Sequence, residues 1–222
     1  MDTSLIQTFE TKINMPGTQL PARSVAVKGI DSFILFSPIR FQNEQIEKLR
    51  GLGDVTDIVA PCLFHHLFIP QAIKLFPNAR VWGVPGFREK RPDITWTHEL
   101  TPDQWIHQHI LEILPITGAP KYNEVEFFHP SSKTLIATDL CFNMRKPAGL
   151  MAPIILGAMG TFDGFAVSRL LKLMTKDKKA LKKSLDKLFA WDFDRIIMAH
   201  GEIVESDGKN LLRAAMIKRG LY

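Results

Sequence analysis

Asp57-Ile58-Val59-Ala60-Pro61-Cys62-Leu63-Phe64-His65-His66 is the stretch that decides the reading of this chain. A short apolar run breaks at a proline and ends in two adjacent imidazoles, and an apolar helical pattern from Pro70 to Phe76 follows. A strand that presents polar groups at its carboxyl end and then feeds a helix is the unit that places ligands at a sheet edge. Neighbours on a strand point to opposite faces, so His65 and His66 can serve one site only from the irregular backbone after the strand. Two later apolar runs end in residues of the same chemical kind. Thr134-Leu135-Ile136-Ala137-Thr138 delivers Asp139, and Arg195-Ile196-Ile197-Met198-Ala199 delivers His200, followed by Gly201.

Each of these residues alone has an ordinary structural reading. The histidine pair can cap the next helix, Asp139 can form an Asx turn, and His200 can be a satisfied core histidine. The recurrence favours something else. A carboxylate at an apolar strand end is costly to bury unless it is paired or metal-bound, and Gly201 permits the sharp turn that aims an imidazole off the strand axis. Convergence of His65, His66, Asp139 and His200 gives three imidazoles and one carboxylate, a donor set suited to Zn²⁺ or Fe²⁺.

The 222 residues, 45% hydrophobic and 23% charged, fit one globular domain spanning 1–222. No apolar run approaches the ~18 residues of a membrane span. The start Met1-Asp2-Thr3-Ser4 lacks the basic residues of a secretory signal. A cytoplasmic location is therefore expected, with Cys62 and Cys141 as free buried thiols. The net charge of +5 comes largely from Lys172, Lys176, Lys178, Lys179, Lys182, Lys183 and Lys187. Leu181, Leu185, Leu188 and Phe189 recur among them at helical spacing, which reads as a solvated helix face, the sharper alternatives being an electrostatic cap beside the pocket that attracts anionic substrates, or a membrane or nucleic-acid patch. No nucleic-acid motif accompanies it. The expected partner is a small-molecule substrate, with no nucleic acid and no membrane, and with the oligomeric state left open.

Along the chain, residues 1–42 read as β-rich, with Asn43 capping a helix that ends at Gly51 or Gly53. Strands are predicted at 57–60, 80–84, 110–116, 124–129, 134–140 and 195–199, and helices at 70–76, 162–175, 177–190 and 208–218. Residues 86–107 read as a polar loop. His98, His107 and His109 read as surface residues, the last two sharing a face if extended. His129 reads as a structural or surface histidine. The Gly/Pro/Met-rich stretch 147–160 reads as an insertion, either a lid or a dimer contact. There is no Gly-x-Ser-x-Gly elbow and no phosphate-binding glycine loop.

The order and spacing of these features resemble the metallo-β-lactamase superfamily over about residues 20–215. In that family a His-x-His-x-Asp-His loop is followed by a helix and a Phe-Pro-x-Ala-like turn. Here Phe76-Pro77-Asn78-Ala79 sets the register. His66 then falls on the last histidine of the motif, His65 on its aspartate, and Pro61 and Leu63 on its first two histidines. Ala119, in Thr117-Gly118-Ala119-Pro120, replaces the next histidine, while Asp139 and His200 match the remaining ligands. The resemblance implies an α/β fold, a four-layer αββα sandwich with two mixed sheets face to face and helices outside. It implies a divergent branch that has lost one metal position and kept the other: one Zn or Fe ion, or none, held by His65, His66, Asp139 and His200. His65 and Asp139 are the expected catalytic residues. Four protein ligands close a tetrahedral site, so His65 is the ligand expected to act instead as a base. The implied activity is metal-dependent hydrolysis of an ester, thioester, lactone or phosphoester. The alternatives are a non-catalytic protein that binds a small molecule or partner in the same cleft, and an iron redox protein.

Overall fold

The computed structural model describes residues 5–145 and 148–222. Strands β1 (Ile6–Met15) and β2 (Thr18–Lys28) form a long hairpin around Gly17, whose φ of +73° suits glycine. β3 (Phe33–Phe36) pairs antiparallel with β2. β4 (Val55–Ala60), β5 (Arg80–Gly83) and the short β6 (His98–Glu99) follow in parallel to complete a six-stranded sheet, β1-β2-β3-β4-β5-β6. Helices α1 (Asn43–Leu52), α2 (Ile69–Leu75) and α3 (Phe87–Lys90) lie in its connections. A second sheet has the order β12-β9-β8-β7, built from β7 (Glu112–Ile116), β8 (Glu124–His129), β9 (Thr134–Ala137) and β12 (Arg195–Met198). Between β9 and β12, β10 (Phe142–Met144) and β11 (Gly164–Ala166) form a two-stranded ribbon. Helices α4 (Ala152–Met159), α5 (Arg169–Met174), α6 (Lys178–Leu188) and α7 (Gly208–Arg219) complete the chain.

The second sheet is buried on both faces, and strand alternation sorts its side chains. Phe127, Ile136 and Ile197 point into the core shared with the first sheet, while Phe128, Leu135, Ile196 and Met198 pack in a second core with Leu181, Leu185 and Leu188 of α6 and Leu212 and Met216 of α7. Phe36 of β3 meets Phe127 of β8 edge to face, their ring centroids 4.6 Å apart. This contact joins the two sheets. Leu49 of α1 and Ile69 and Ala72 of α2 belong to the first sheet's core. The architecture is the expected αββα sandwich. The lysine-rich stretch forms α6, whose Asp177 cap accepts the Ala180 N–H at 3.0 Å.

Local expectations needed adjustment. Gln42, rather than Asn43, caps α1, its N–H bonded to the Gln45 side chain at 3.0 Å. The segment read as one helix from 162 to 175 begins as β11, because Gly164, at φ +140°, lets the chain run back along β10; only 169–174 is helical. Most of the Gly/Pro/Met-rich insertion is helix α4, with Pro153 in its first turn, where the missing N–H costs nothing. Its first residue, Pro147, lies outside the described residues, as does Lys146 before it. The polar loop 86–107 carries α3 and β6. Among the described residues no helix is long and apolar enough to cross a membrane.

Candidate metal centre

The parallel strands β9 and β12 pair Ala137 with Met198. Two residues beyond that pair the chains present Asp139 and His200, side by side. β4, from the other sheet, ends at Ala60 and turns through Pro61. The Pro61 carbonyl accepts the Val125 N–H at 2.9 Å, which ties the turn to β8. That turn delivers Cys62 and His65. The site thus straddles the sandwich at the carboxyl ends of strands from both sheets.

Asp139 is its centre. One carboxylate oxygen, Oδ2, lies 3.3 Å from His65 Nε2 and 3.3 Å from Cys62 Sγ, and the other, Oδ1, lies 3.3 Å from His200 Nε2. Ligand atoms of Cys62, His65 and Asp139 fall within 4.8 Å of one another. A tetrahedron with bonds of about 2.0–2.3 Å has edges of about 3.3–3.8 Å, so these separations suit donors around one ion. His200 supplies an independent test. Its Nδ1 faces the Pro21 carbonyl at 2.8 Å, and a carbonyl can only accept. Nδ1 therefore carries the proton, and in the neutral ring Nε2 turns a lone pair toward an Asp139 oxygen. Two acceptors at that distance require a cation between them or a second proton on the ring. An N–H donated to a backbone carbonyl is also the usual way a metal-bound imidazole is oriented. The ring of Phe142 stacks on His200, with centroids 5.4 Å apart. These residues fit a metal ion.

The surroundings fix the donors. His65 Nδ1 bonds the Ser37 hydroxyl. Ser37 follows β3 at φ +50°, a conformation unusual for a residue with a Cβ. The Tyr122 hydroxyl donates to the Asp139 carbonyl at 2.6 Å. Buried Glu124 accepts three hydrogen bonds at one oxygen, Oε1, from the Thr138 N–H at 2.7 Å, the Thr138 hydroxyl at 2.6 Å and the Asp139 N–H at 2.8 Å. Gly201, at φ +98°, packs against Asn143, where a Cβ would collide with the backbone.

Charges follow from this geometry. Burial works to raise the Asp139 carboxyl, yet the two imidazoles hold it far below the usual carboxylate range. Burial works to lower His65, and the Asp139 charge outweighs it and raises the ring. Burial, helped by Asp139 and Glu124, pushes the Cys62 thiol well up, so Cys62 becomes a ligand only where a cation displaces its proton. Burial and the Glu124 charge push Glu126 well up, which makes it a neutral acid.

His65, Asp139 and His200 are brought together, and Cys62 joins them. His66 is not part of the group. Its Nδ1 accepts from the Arg91 guanidinium at 2.6 Å, its ring lies edge-on to Phe87, and burial together with Lys90 and Arg91 lowers its pKa. A ring that accepts at Nδ1 carries its proton on Nε2, which leaves no lone pair for a metal. The cause is the turn over residues 63–68, tied to β8 and to the Tyr122 carbonyl, which aims His65 at Asp139 and His66 at Arg91. The other histidines serve the fold. His107 Nε2 lies 3.0 Å from buried Asp57, which also takes two bonds from Arg80 and one from Trp82. His98 stacks on Trp82, His129 is buried beside Ser132, and His109 is exposed. His107 and His109 sit in a turn, so they do not share an extended face.

The site floors a cavity of about 370 Å³. Ser37, His65, Asp139 and His200 make its polar end, and Ile13, Leu20, Phe64, Phe68, Phe142 and Leu170 line much of the rest. Ser37, Glu124 and the place of Cys62 beside Asp139 were missed in the sequence. Ser37 had the same signal as the other three, a polar residue just past an apolar strand.

The fold has close structural relatives. DIM-1 metallo-β-lactamase exposed to ceftazidime superposes with a TM-score of 0.68 at 10% identity, over 98% of this chain and 95% of that one. The metallo-β-lactamase FIM-1 from Pseudomonas aeruginosa, in its mono-zinc form, gives 0.65 at 14% identity, over 99% and 93%. A fragment of the putative diflavin flavoprotein A 5 from Nostoc sp. PCC 7120 gives 0.68 at 12% identity, over 98% and 94%. No curated protein matches the sequence. The fold is shared with metallo-β-lactamases and flavodiiron cores. A family model matches residues 4–153, and on that match the chain belongs to the family described as Domain of unknown function (DUF4336).

Proposed function

We propose that the chain is a mononuclear metal-dependent hydrolase of the cytoplasm, acting on an ester, thioester, lactone or phosphoester whose body is apolar. The observation that carries this is the gathering of Cys62, His65 and Asp139 within 4.8 Å of one another, with His200 on the other Asp139 oxygen, at the polar end of a mostly apolar cavity. Asp139, Cys62 and His65 would hold a Zn or Fe ion, with His200 as a further ligand on the other Asp139 oxygen and His65 also placed to act as a base. A cation bound there supplies Lewis acidity. Ile13, Leu20, Phe64 and Phe68 hold the apolar body of the substrate and exclude water, so the polar group faces Asp139. His65, tied to Ser37 and facing Asp139, takes up a proton at Nε2 and is stabilised as the imidazolium by that carboxylate. Free, buried Cys62 and Cys141 suit a reducing compartment.

Elemental analysis after zinc or iron supplementation, run beside His200→Ala, tests the reading. About one ion per chain in the parent and much less in the variant supports it, and below about 0.1 ion per chain in the parent ends it. Turnover of aliphatic esters or thioesters that disappears in the variant supports hydrolysis. A protein that binds such compounds and metal without turnover supports the second reading, a non-catalytic binder, which the apolar cavity walls favour.

A further inference from the structure

We propose that the face formed by α4, α5 and the rim of the cavity docks on an anionic lipid bilayer. Helix α4, with its approach from Leu150, is apolar on both sides although only one side is packed: Ala152 and Leu156 are buried, while Leu150 is 96% and Ile154 63% exposed. Leu173 of α5 is 81% exposed, and Leu67 at the cavity mouth 60%. Isolated exposed leucines need no explanation, but a helix that offers aliphatic groups to water next to a cavity mouth does.

Charge identifies the occupant. A groove beside α4 is lined by Arg169, Lys172, Lys218 and Arg219 together with Met159, Leu170 and Leu173, and no acid lines it. Among the described residues none of these four cations is ion-paired with a carboxylate. Arg169 donates to the Gly157 and Ala158 carbonyls and Arg219 to Gly160, which fastens the end of α4 to α5 and α7. Met159 and Leu170 line both this groove and the cavity over the metal centre, so the two are adjacent. Aliphatic side chains flanked by lysine and arginine match the interface of an acidic membrane, where apolar groups enter the headgroup layer and cations meet phosphates. A second copy of the chain fits worse, because a two-fold contact would set this cationic patch against itself. This reverses the expectation from sequence of no membrane partner. The patch is completed by α7, which joins α4 and α5 from more than 30 residues further along the chain, and no single segment shows it.

The test is vesicle flotation of the full chain, with and without prior chelation. Vesicles of phosphatidylcholine alone are compared with vesicles of equal parts phosphatidylcholine and phosphatidylglycerol. At least about tenfold stronger binding to the acidic vesicles is expected, abolished near 1 M salt where charges are screened within ~3 Å. Lys172→Glu with Lys218→Glu should weaken binding about tenfold or more, as should Ile154→Asp with Leu173→Asp. The same charge change at Lys28 and Lys48, on the first sheet and α1, should leave it unchanged. All these positions are exposed, and circular dichroism confirms folding. Equal binding to both vesicles, no flotation, or binding of monomeric dodecyl phosphate without flotation would overturn the proposal. Chelated protein should float as well as metallated protein, so failure here and failure of the hydrolase reading are separate results.

Discussion

Replacing Glu124 should expose how the interior holds the metal centre. One Glu124 oxygen accepts three buried donors, and two of them, the backbone N–H groups of Thr138 and Asp139, set the direction in which the Asp139 carboxylate points. Removing the acceptor leaves three donors without water or partner. At about 1–3 kcal/mol for each unsatisfied buried group the simple range is about 3–9 kcal/mol. Relaxation and non-additivity favour the lower half, so Glu124→Ala should cost about 4 kcal/mol. Glu124→Gln keeps a carbonyl oxygen in place and loses only charge assistance. That assistance is partial, because burial and the Asp139 charge push the Glu124 carboxyl up, and a cost of about 1–2 kcal/mol follows. Metal affinity should fall about 10–100-fold in the glutamine variant, as for other groups that orient a ligand from behind. Urea denaturation of chelated protein gives the stabilities, and a competition titration with a zinc indicator gives the affinities. If the two variants are equally unstable, or if either lies within about 0.5 kcal/mol of the parent, the account of Glu124 as a triple acceptor is wrong.

Cys62→Ser and His65→Ala should each lower metal content or affinity by at least about tenfold, whereas His66→Ala should leave it within about twofold; elemental analysis decides, and a loss in His66→Ala would restore that residue to the site. Neutral, buried Glu126 donates its proton to Glu124, so Glu126→Gln, which keeps a donor, should change stability by less than about 1 kcal/mol, whereas Glu126→Leu, which strips Glu124 of that donor, should cost about 1–3 kcal/mol, as measured by denaturation midpoint. Asp57, held far below its ordinary 3.8 because His107, Arg80 and Trp82 outweigh burial, contributes stability that is present above pH ~4 and lost as pH falls through its folded value. Asp57→Asn should therefore cost about 3 kcal/mol at pH 7, and the gap from the parent should narrow below pH ~4 in denaturation series. Phe127→Ala should cost about 3–5 kcal/mol in the same assay, because its ring joins the two sheets.

The architecture was legible because β3, β9 and β12 carry short apolar runs that lead into Ser37, Asp139 and His200, and because strand and helix patterns alternate in both halves of the chain. The site was legible only in part. Asp139 and His200 were readable because they occupy matching positions past paired parallel strands. The motif register made His66 the firm ligand and His65 the one expected to act as a base, whereas His65 is the one that reaches Asp139, since the side that faces it depends on a turn whose hydrogen bonds come from β8 and Tyr122, about 60 residues downstream in the sequence. Cys62 read as a buried thiol, and it is one; its distance from Asp139 is a tertiary fact. Glu124 alternates with apolar neighbours, a pattern that by itself marks no buried acceptor, and both faces of β8 are covered. Residues 162–168 misled because an apolar, glycine-interrupted segment fits a helix or a ribbon, and the pairing with β10 decided between them.

Because Cys62 and His65 follow a strand of one sheet while Asp139 and His200 follow strands of the other, any ion that bridges them is also a rivet between the two halves of the sandwich. Loading would then be felt mechanically throughout the fold. With free metal at about a thousand times its dissociation constant, the layers would gain about 4 kcal/mol against separation. Depletion would first loosen the seam at this end, where a bound substrate would otherwise sit.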